Sequence, residues 1–249
     1  MSPSVAIIGG SGLDELSTMQ NANEIQPMTR FGKPSGAVVE GRFGNQRIFF
    51  LPRHGHDHTI PPHQINYRAN IAALADLGVE NVIAVTAVGG IVPTTPPRKL
   101  VIPDQIIDYT HSREHTFNDG FDNTVEHIDF TYPYSQRLRE ELITAGREIN
   151  IDLESTGTYG ATQGPRLETA AEIARMKQDA CSVVGMTGMP EASLAREAGL
   201  DYANISLVVN WAAGVEKGTI NLHEIENHLS VGIVDVLHLI EAWLLNIKQ

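Results

Sequence analysis

Short runs of β-branched and other apolar residues recur along the chain, and each ends in glycines or small polar residues. They cover Val5–Gly9, Asn81–Gly90 and residues 205–209. Continuous apolar runs of this length are typical of strands buried on both faces of a parallel sheet. Between them, residues 67–77 and 221–246 carry apolar side chains at helical spacing. Strands that alternate with helices predict an α/β fold with a mixed, largely parallel twisted β-sheet flanked by helices.

A length of 249 residues suits one large α/β domain, and the chain shows no internal repeat, low-complexity tract or linker. We therefore expect residues 1–249 to form a single domain. The net charge of −12 argues against nucleic-acid and anionic-membrane partners. A single cysteine, Cys181, excludes an internal disulfide and a cysteine-cluster metal site. No signal-like segment precedes the first strand, and no apolar run approaches ~18 residues, so a cytoplasmic location is expected.

The remaining segments predict further elements and one long loop. Residues 37–51 alternate as a hairpin with a turn near Gly44, and residues 100–107 read as a strand in which Pro103 indicates an edge or a bulge. Strands are expected at 155–161 and 182–186, and helices at 135–148, 167–178 and 191–198. Residues 111–133 are polar and aromatic with little periodicity, which predicts a loop that is functional or covered by a partner.

Two polar clusters follow predicted strands. The glycine-rich turn at 9–12 lets backbone N–H groups approach an anion, and Ser11 adds a hydroxyl, although a simple tight turn is about as consistent. Arg53 and His54 open a second cluster, in which the guanidinium can supply paired donors to phosphate. His54, His56 and His58 also permit a solvated loop or, more remotely, a metal site without the usual carboxylate ligands.

The run at 205–209 ends at Asn210, where a loop of small residues begins. Ligands of open α/β sheets bind at the carboxyl ends of strands. An amide at that place can donate and accept hydrogen bonds at once, whereas a carboxylate can only accept. Asn210 is therefore a candidate ligand-reading residue, although termination of the strand explains it equally well in isolation.

Seven motifs, taken together and in order, carry a resemblance to a known family. They are Ile7-Ile-Gly-Gly-Ser-Gly-Leu13, Phe31-Gly-Lys-Pro-Ser35, Arg53-His-Gly-His-Asp-His-Thr59, Asn66-Tyr-Arg-Ala-Asn70, Gly164-Pro-Arg166, Met186-Thr-Gly-Met-Pro-Glu191 and Ala195-Arg-Glu-Ala-Gly199. The chain resembles the trimeric purine nucleoside phosphorylase superfamily, specifically its methylthioadenosine phosphorylase branch. The resemblance runs from about Val5 into the last predicted helix.

This resemblance implies phosphorolysis, in which inorganic phosphate attacks C1′ of a purine nucleoside and releases the base. It implies a homotrimer and no metal or organic cofactor, with phosphate as co-substrate. Met186 would pack on the ribose. The residues that would hold phosphate are Ser11, Arg53, His54, Ala87 and Thr187, with Thr86 nearby.

The base pocket departs from the adenine-specific branch that the chain otherwise resembles. Where that branch has an acid, this chain has Asn210, and Ala212 replaces a second acid beyond Trp211. Asn210 can donate to O6 of a 6-oxopurine and accept from N7–H as the base leaves, while Glu168 can accept from N1–H. Mispaired polar groups in a dry pocket cost about 1–3 kcal/mol each, so the two residues favour a 6-oxopurine over adenine.

The 5′ side of the sugar is less constrained by the sequence. Leu222 and Ile225 fall where a thioether pocket would lie, and His127 could close that pocket from a neighbouring subunit. His223, however, falls near the position of a 5′-hydroxyl ligand in inosine and guanosine enzymes, or it is a solvated residue. S-methyl-5′-thioinosine is therefore the first substrate expected, inosine or guanosine the second and methylthioadenosine the third.

Two hypotheses from other functional classes remain open. A non-catalytic nucleotide-binding module would not require the phosphate-binding and base-reading groups to converge. A metallohydrolase would use His54, His56 and His58 as ligands.

Overall fold

The structure is a computed structural model that describes residues 3–10, 19–118, 120 and 125–247. The strands within these ranges are β1 (Val5–Gly9), β2 (Gln20–Ile25), β3 (Val38–Phe43), β4 (Gln46–Pro52), β5 (Asn81–Gly90), β6 (Leu100–Val101), β7 (Gln105–Asp108), β8 (Leu153–Glu154), β9 (Thr158–Ala161), β10 (Cys181–Gly185) and β11 (Asp201–Trp211). The α-helices are α1 (Tyr67–Asp76), α2 (Gln136–Glu148), α3 (Ala170–Gln178), α4 (Gly188–Glu197) and α5 (Leu222–Asn246).

The strands form one mixed sheet around β5. β1 lies between β4 and β5 and is parallel to both, and β11 runs parallel to β5 along the whole length of β5. The far end of β5 also pairs antiparallel with β10, and β3 pairs antiparallel with β4. The carboxyl ends of β4, β1, β5 and β11 therefore meet at one edge, and the predicted mixed α/β sheet is confirmed.

Helices cover both faces of this sheet because successive residues of the buried strands point to opposite sides. In β1, Ala6 and Ile8 pack with α1 and α4 in one core cluster. Val5 and Ile7 pack with α2 and α5 in the other. A third, smaller cluster joins α3 to β10 and the segment after β11.

The last helix, α5, is by length and composition apolar enough to cross a membrane, as buried helices of water-soluble proteins often are. One face of it, including Val236, Leu239, Ile240 and Trp243, lies in the core cluster shared with α2. Trp243 also donates its indole N–H to Glu141 of α2, at 2.9 Å. Packing within the domain thus accounts for this face of α5.

Several predicted boundaries were wrong for identifiable reasons. The single strand expected at 100–107 is two strands, β6 and β7, because the chain leaves the sheet around Pro103, which has no N–H to donate. The last strand extends to Trp211 instead of ending at Val209, with a register shift between Val208 and Asn210. The sequence pattern missed β2, which is mostly exposed and is held by backbone pairing to β3.

The helix expected from residue 167 begins later, at Ala170. Thr169 caps it by accepting from the Glu172 N–H, while the Glu172 side chain accepts from the Thr169 N–H. This reciprocal pair fixes the start of the helix. Glu168 therefore precedes the helix and lies outside its first turn, in which the acidic residue is Glu172.

Candidate active site

A cavity of about 290 Å³ opens at the shared carboxyl edge of β1, β4, β5 and β11. Most residues singled out from the sequence line it. Those residues are Arg53, His54, Thr86, Ala87, Glu168, Met186, Thr187, Asn210, Ala212 and Ile225. They come from six separate stretches of the chain, and the topology of the sheet and its flanking helices brings them together.

Other predicted residues lie away from this cavity. Trp211 and Leu222 line a second, outer depression beside residues 214–221, and Leu222 is 66% exposed. The His223 side chain is 91% exposed, and its Nδ1 lies 3.9 Å from the Glu226 carboxylate. His127 is exposed on the single chain. Ser11 falls outside the described residues.

The sequence predicted that the Arg53 guanidinium offers paired donors to phosphate, but in the structure those donors have another partner. The residue is 1% exposed, and Nε and Nη2 donate to the two carboxylate oxygens of Glu191 at 2.7 and 2.9 Å. Further N–H groups donate to the carbonyls of Val85 (2.8 Å) and Ile8 (3.3 Å). Although burial lowers it, the pKa of Arg53 is held above its usual value by the Glu191 carboxylate. The paired donors thus face Glu191, which neutralises the charge, and one Nη1 N–H has no partner within the described part of the chain.

His54 is an uncharged group at neutral pH. Its Nδ1 lies 2.8 Å from the Ile60 carbonyl, which can only accept, so Nδ1 carries the proton. Burial lowers the pKa of His54 to about 4, and the charges of Arg53 and His58 act in the same direction. The neutral ring therefore offers Nε2 as an acceptor to a ligand. The centroids of the His54 and His58 rings lie 4.4 Å apart, and both rings contact Gly10.

The remaining predicted phosphate residues lie on β5 and before α4. Ala87 is exposed to the cavity from the middle of β5. The Thr86 hydroxyl is within hydrogen-bonding distance of Asn204 (3.1 Å) and Ser206 (3.2 Å) on β11. Thr187 lines the cavity immediately before α4, whose first turn is interrupted by the extended backbone of Met189.

The two base-reading candidates line the same cavity, each held by one hydrogen bond. Asn210 Nδ2 donates to the Trp211 carbonyl at 2.7 Å, which fixes the amide orientation and leaves one N–H and the Oδ1 acceptor. Glu168 Oε1 accepts from the Thr162 hydroxyl at 2.6 Å, which leaves Oε2 as an acceptor. Together they present a donor and two acceptors.

One end of the cavity is apolar. It is formed by Ile220, which precedes α5, and by three residues of the first half of α5: Ile225, Leu229 and Ile233. The family resemblance predicted Ile225 here, whereas Leu229 and Ile233 entered the prediction only through the helical spacing of residues 221–246. They lie one and two turns beyond Ile225 on the same face of α5, so the periodicity contained this information.

Two residues that matter to the site were not predicted from the sequence. Glu191 lies in the Met186-Thr-Gly-Met-Pro-Glu191 motif, but its pairing with Arg53 spans 138 positions. Arg113 belongs to the long loop at 111–133, and the described part of that loop contains no helix or strand. The loop's polar composition suggested a function, but not which residue carries it.

Metal ligation by the histidine cluster was the remote alternative. In the ranges that the structure describes, no three His, Cys, Asp or Glu side chains are grouped as a metal site requires. His54 faces Ile60 and packs against the tilted ring of His58, while His56 is exposed.

Comparison with known proteins agrees with the motifs. The model of the phosphorylase superfamily matches residues 4–244. The chain belongs to this superfamily. A Xylella fastidiosa protein named "probable S-methyl-5'-thioinosine phosphorylase" is 52% identical over 214 residues, which are 86% of this chain and 90% of that protein. The 6-oxopurine nucleoside phosphorylase of Pyrococcus furiosus is 44% identical over 245 residues, covering 96% and 91%.

A solved structure of Schistosoma mansoni methylthioadenosine phosphorylase in complex with adenine superposes with a TM-score of 0.90 at 33% identity. The match covers 98% of this chain and 91% of that one. The resemblance inferred from the motifs is thus confirmed for the family and for the fold.

The buried ion pair of this phosphorylase predicts a large stability effect. In Glu191→Gln, the Arg53 charge stays buried without a carboxylate, so the free energy of unfolding should fall by about 3–5 kcal/mol. Urea denaturation measures this. Asp152→Asn, which breaks the exposed pair with Lys99, is the control and should cost under about 1 kcal/mol. Equal losses in the two variants would contradict the buried-pair interpretation.

The depressed pKa of His54 predicts a pH dependence. The unfolded ring takes up a proton near pH ~6.5, whereas the folded ring does so near 4. Between these values the unfolded state binds more protons, so the free energy of unfolding should fall as the pH is lowered, and less so in His54→Gln. Denaturation across this window tests the difference, and an NMR titration of the His54 ring with a midpoint near ~6.5 would refute it.

Proposed function

We propose that this phosphorylase cleaves a 6-oxopurine nucleoside with inorganic phosphate, and that S-methyl-5′-thioinosine is its preferred substrate. The products are hypoxanthine and 5-methylthioribose 1-phosphate. The observation that carries the proposal is that one cavity joins the Asn210–Glu168 pair to an apolar end formed by α5. The substrate named for the Xylella fastidiosa relative is the same nucleoside.

The reaction needs positioning and electrostatic stabilisation more than it needs a base. A phosphate oxygen forms a bond to C1′ while the bond from C1′ to N9 breaks, and the bonding electrons pass to the purine. The nucleophile is already an anion, so no group must deprotonate it. Arg53, His54, Thr86, Ala87 and Thr187 are proposed to surround the phosphate, and Met186 the ribose. Holding phosphate and nucleoside in line accounts for much of such a rate enhancement.

Asn210 and Glu168 are proposed to read the base. The free N–H of Asn210 donates to O6, and its Oδ1 accepts from N7–H as the purine departs. Glu168 accepts from N1–H through the oxygen that Thr162 does not occupy. Adenine has a hydrogen-bond donor at C6 and an acceptor at N1, the reverse of a 6-oxopurine. At least one of these protein groups would therefore face an unsuitable partner.

The apolar end of the cavity favours a methylthio group over a hydroxyl at the 5′ carbon. Ile225, Leu229 and Ile233 offer no hydrogen-bond partner, and burying an unpaired hydroxyl is unfavourable. The exposed His223 does not turn toward this end. Inosine or guanosine is the second candidate, because the Pyrococcus furiosus relative is named a 6-oxopurine nucleoside phosphorylase.

The remaining parts of the proposal rest on the family resemblance. We propose a cytoplasmic homotrimer that uses phosphate as co-substrate and no metal or organic cofactor. In the trimer, His127 of one subunit would close the 5′ end of a neighbour's cavity. Sedimentation of the protein as a monomer would remove that role for His127.

Base release from three nucleosides tests the proposed reaction. The protein is incubated with S-methyl-5′-thioinosine, inosine or methylthioadenosine, with and without phosphate and with and without a chelator. We expect the highest kcat/KM for S-methyl-5′-thioinosine, dependent on phosphate and insensitive to chelation. The highest kcat/KM for methylthioadenosine would refute the base assignment, and no release from any nucleoside would refute the enzyme.

Asn210→Asp should lower kcat/KM for S-methyl-5′-thioinosine at least about tenfold, because a carboxylate has no donor for O6. It also places a second acceptor against the Trp211 carbonyl. Steady-state kinetics measure the loss. Asn227→Asp, at an exposed position of α5, adds the same charge away from the cavity and should leave the kinetics unchanged. Unaltered turnover in Asn210→Asp would count against its role.

Ile225→Asn should reduce the preference for S-methyl-5′-thioinosine over inosine by about tenfold, because the thioether loses apolar contact. The ratio of the two kcat/KM values reports the change. Leu222→Asn is the matched control, since Leu222 lies only three residues earlier but outside the cavity. A similar ratio in both variants would contradict the placement of the 5′ group.

A further inference from the structure

The phosphate-binding residues proposed above supply little net positive charge. Glu191 neutralises Arg53 through two hydrogen bonds, and His54 is neutral at physiological pH. Glu168, which lines the same cavity, adds negative charge, and the chain as a whole carries −12. A phosphate dianion that enters this cavity therefore requires a positive charge from another group.

Arg113 has the properties of such a group. It is 9% exposed, and its guanidinium lies behind the cavity wall formed by Met186 and Thr187. Nη1 donates to the carbonyls of Met186 (2.9 Å) and Met189 (2.6 Å), which flank Thr187. One layer of backbone thus separates the buried cation from the residue proposed to bind phosphate.

All the hydrogen-bond partners of Arg113 among the described residues are neutral. Nη2 donates to the carbonyls of Thr162 (3.2 Å) and Gln163 (2.8 Å), and Nε to the Gln163 side chain (3.1 Å). The Tyr67 hydroxyl, 3.2 Å from Nη1, completes the set. In the described ranges, no carboxylate forms an ion pair with Arg113, in contrast to Arg53. Among the described residues, its charge therefore has no carboxylate partner within ion-pair distance, and in a buried site such a charge is weakly screened.

We propose that Arg113 is the positioning residue whose buried charge makes the cavity attractive to phosphate, an inference that rests on the proposed use of inorganic phosphate. It does not line the cavity, so it acts through its field across the Met186–Thr187 backbone. The same guanidinium ties that wall to the Thr162–Gln163 segment, from which the chain continues to Glu168. It therefore also holds the phosphate side and the base side in a fixed relation.

Two substitutions separate the charge from the contacts. Arg113→Lys keeps the charge but cannot reproduce six hydrogen bonds, whereas Arg113→Met keeps much of the length and removes both. The dissociation constant of inorganic phosphate is measured by calorimetry, and KM for phosphate and for nucleoside by kinetics. In Arg113→Met we expect phosphate binding to weaken at least about tenfold, the order expected for one unit charge at roughly 10 Å. In Arg113→Lys we expect phosphate binding to weaken less than in Arg113→Met. In both variants the KM for nucleoside should change less than the KM for phosphate.

Arg139 provides the matched control. It is also buried, and its guanidinium donates to the carbonyls of Pro103, Ile102 and Ser155, away from the cavity. Arg139→Met should lower the melting temperature while leaving phosphate affinity unchanged. Arg113→Gln serves as a second neutral variant if Arg113→Met does not fold.

The outcomes are distinct. Equal weakening of phosphate binding in Arg113→Lys and in the neutral variants would overturn the electrostatic role, as would unchanged phosphate binding in the neutral variants. A comparable loss in Arg139→Met would also overturn it. Failure of the proposed function shows elsewhere, as wild-type protein that binds phosphate but releases no base from any of the three nucleosides.

Discussion

The buried ion pair of Arg53 and Glu191 connects the strands and the helix that surround the cavity. Arg53 follows β4 and donates to carbonyls of β1 and β5, while Glu191 comes from α4 and accepts from the Tyr202 hydroxyl of β11 at 2.9 Å. Five elements are thus joined through two side chains, and none of the charge faces water. A buried pair of this kind contributes little net stability compared with apolar packing, but the removal of one partner is costly. Its effect is to fix where the strand ends lie relative to one another.

That fixed edge allows one small cavity to have three chemically different walls. Polar groups from β4, β5 and the start of α4 form one wall, the amide and carboxylate of Asn210 and Glu168 form the second, and the apolar face of α5 forms the third. A nucleoside with phosphate also has three parts: an anion, a polar base and a substituted sugar. The match of walls to parts is the physical basis of the proposed reaction, and the buried Arg113 completes it by giving the anion a positive charge.

Prediction from sequence succeeded where a short pattern reports a local property. Alternation and apolar runs located most strands and helices, because burial of one or both faces imposes a period on the residues themselves. It failed where the property depends on a distant partner. The edge strand β2 has no buried face to leave a pattern, and the start of α3 was decided by the exchange between Thr169 and Glu172. Arg53 looked like a phosphate ligand with paired donors, because Glu191, 138 positions away, could not be seen.

By itself, the sequence determined the α/β class, the family, and the residue types available to hold an anion and read a purine. These follow from local periodicity and from motifs whose order along the chain is specific. Only the tertiary structure decided which of those residues converge: Ile225 lines the cavity while Leu222 and His223 do not, and Arg113 reaches the wall behind Thr187 from a loop without pattern. The physical reason is that charge compensation and cavity shape are properties of groups close in space. Their separations along the chain carry no signal of that closeness.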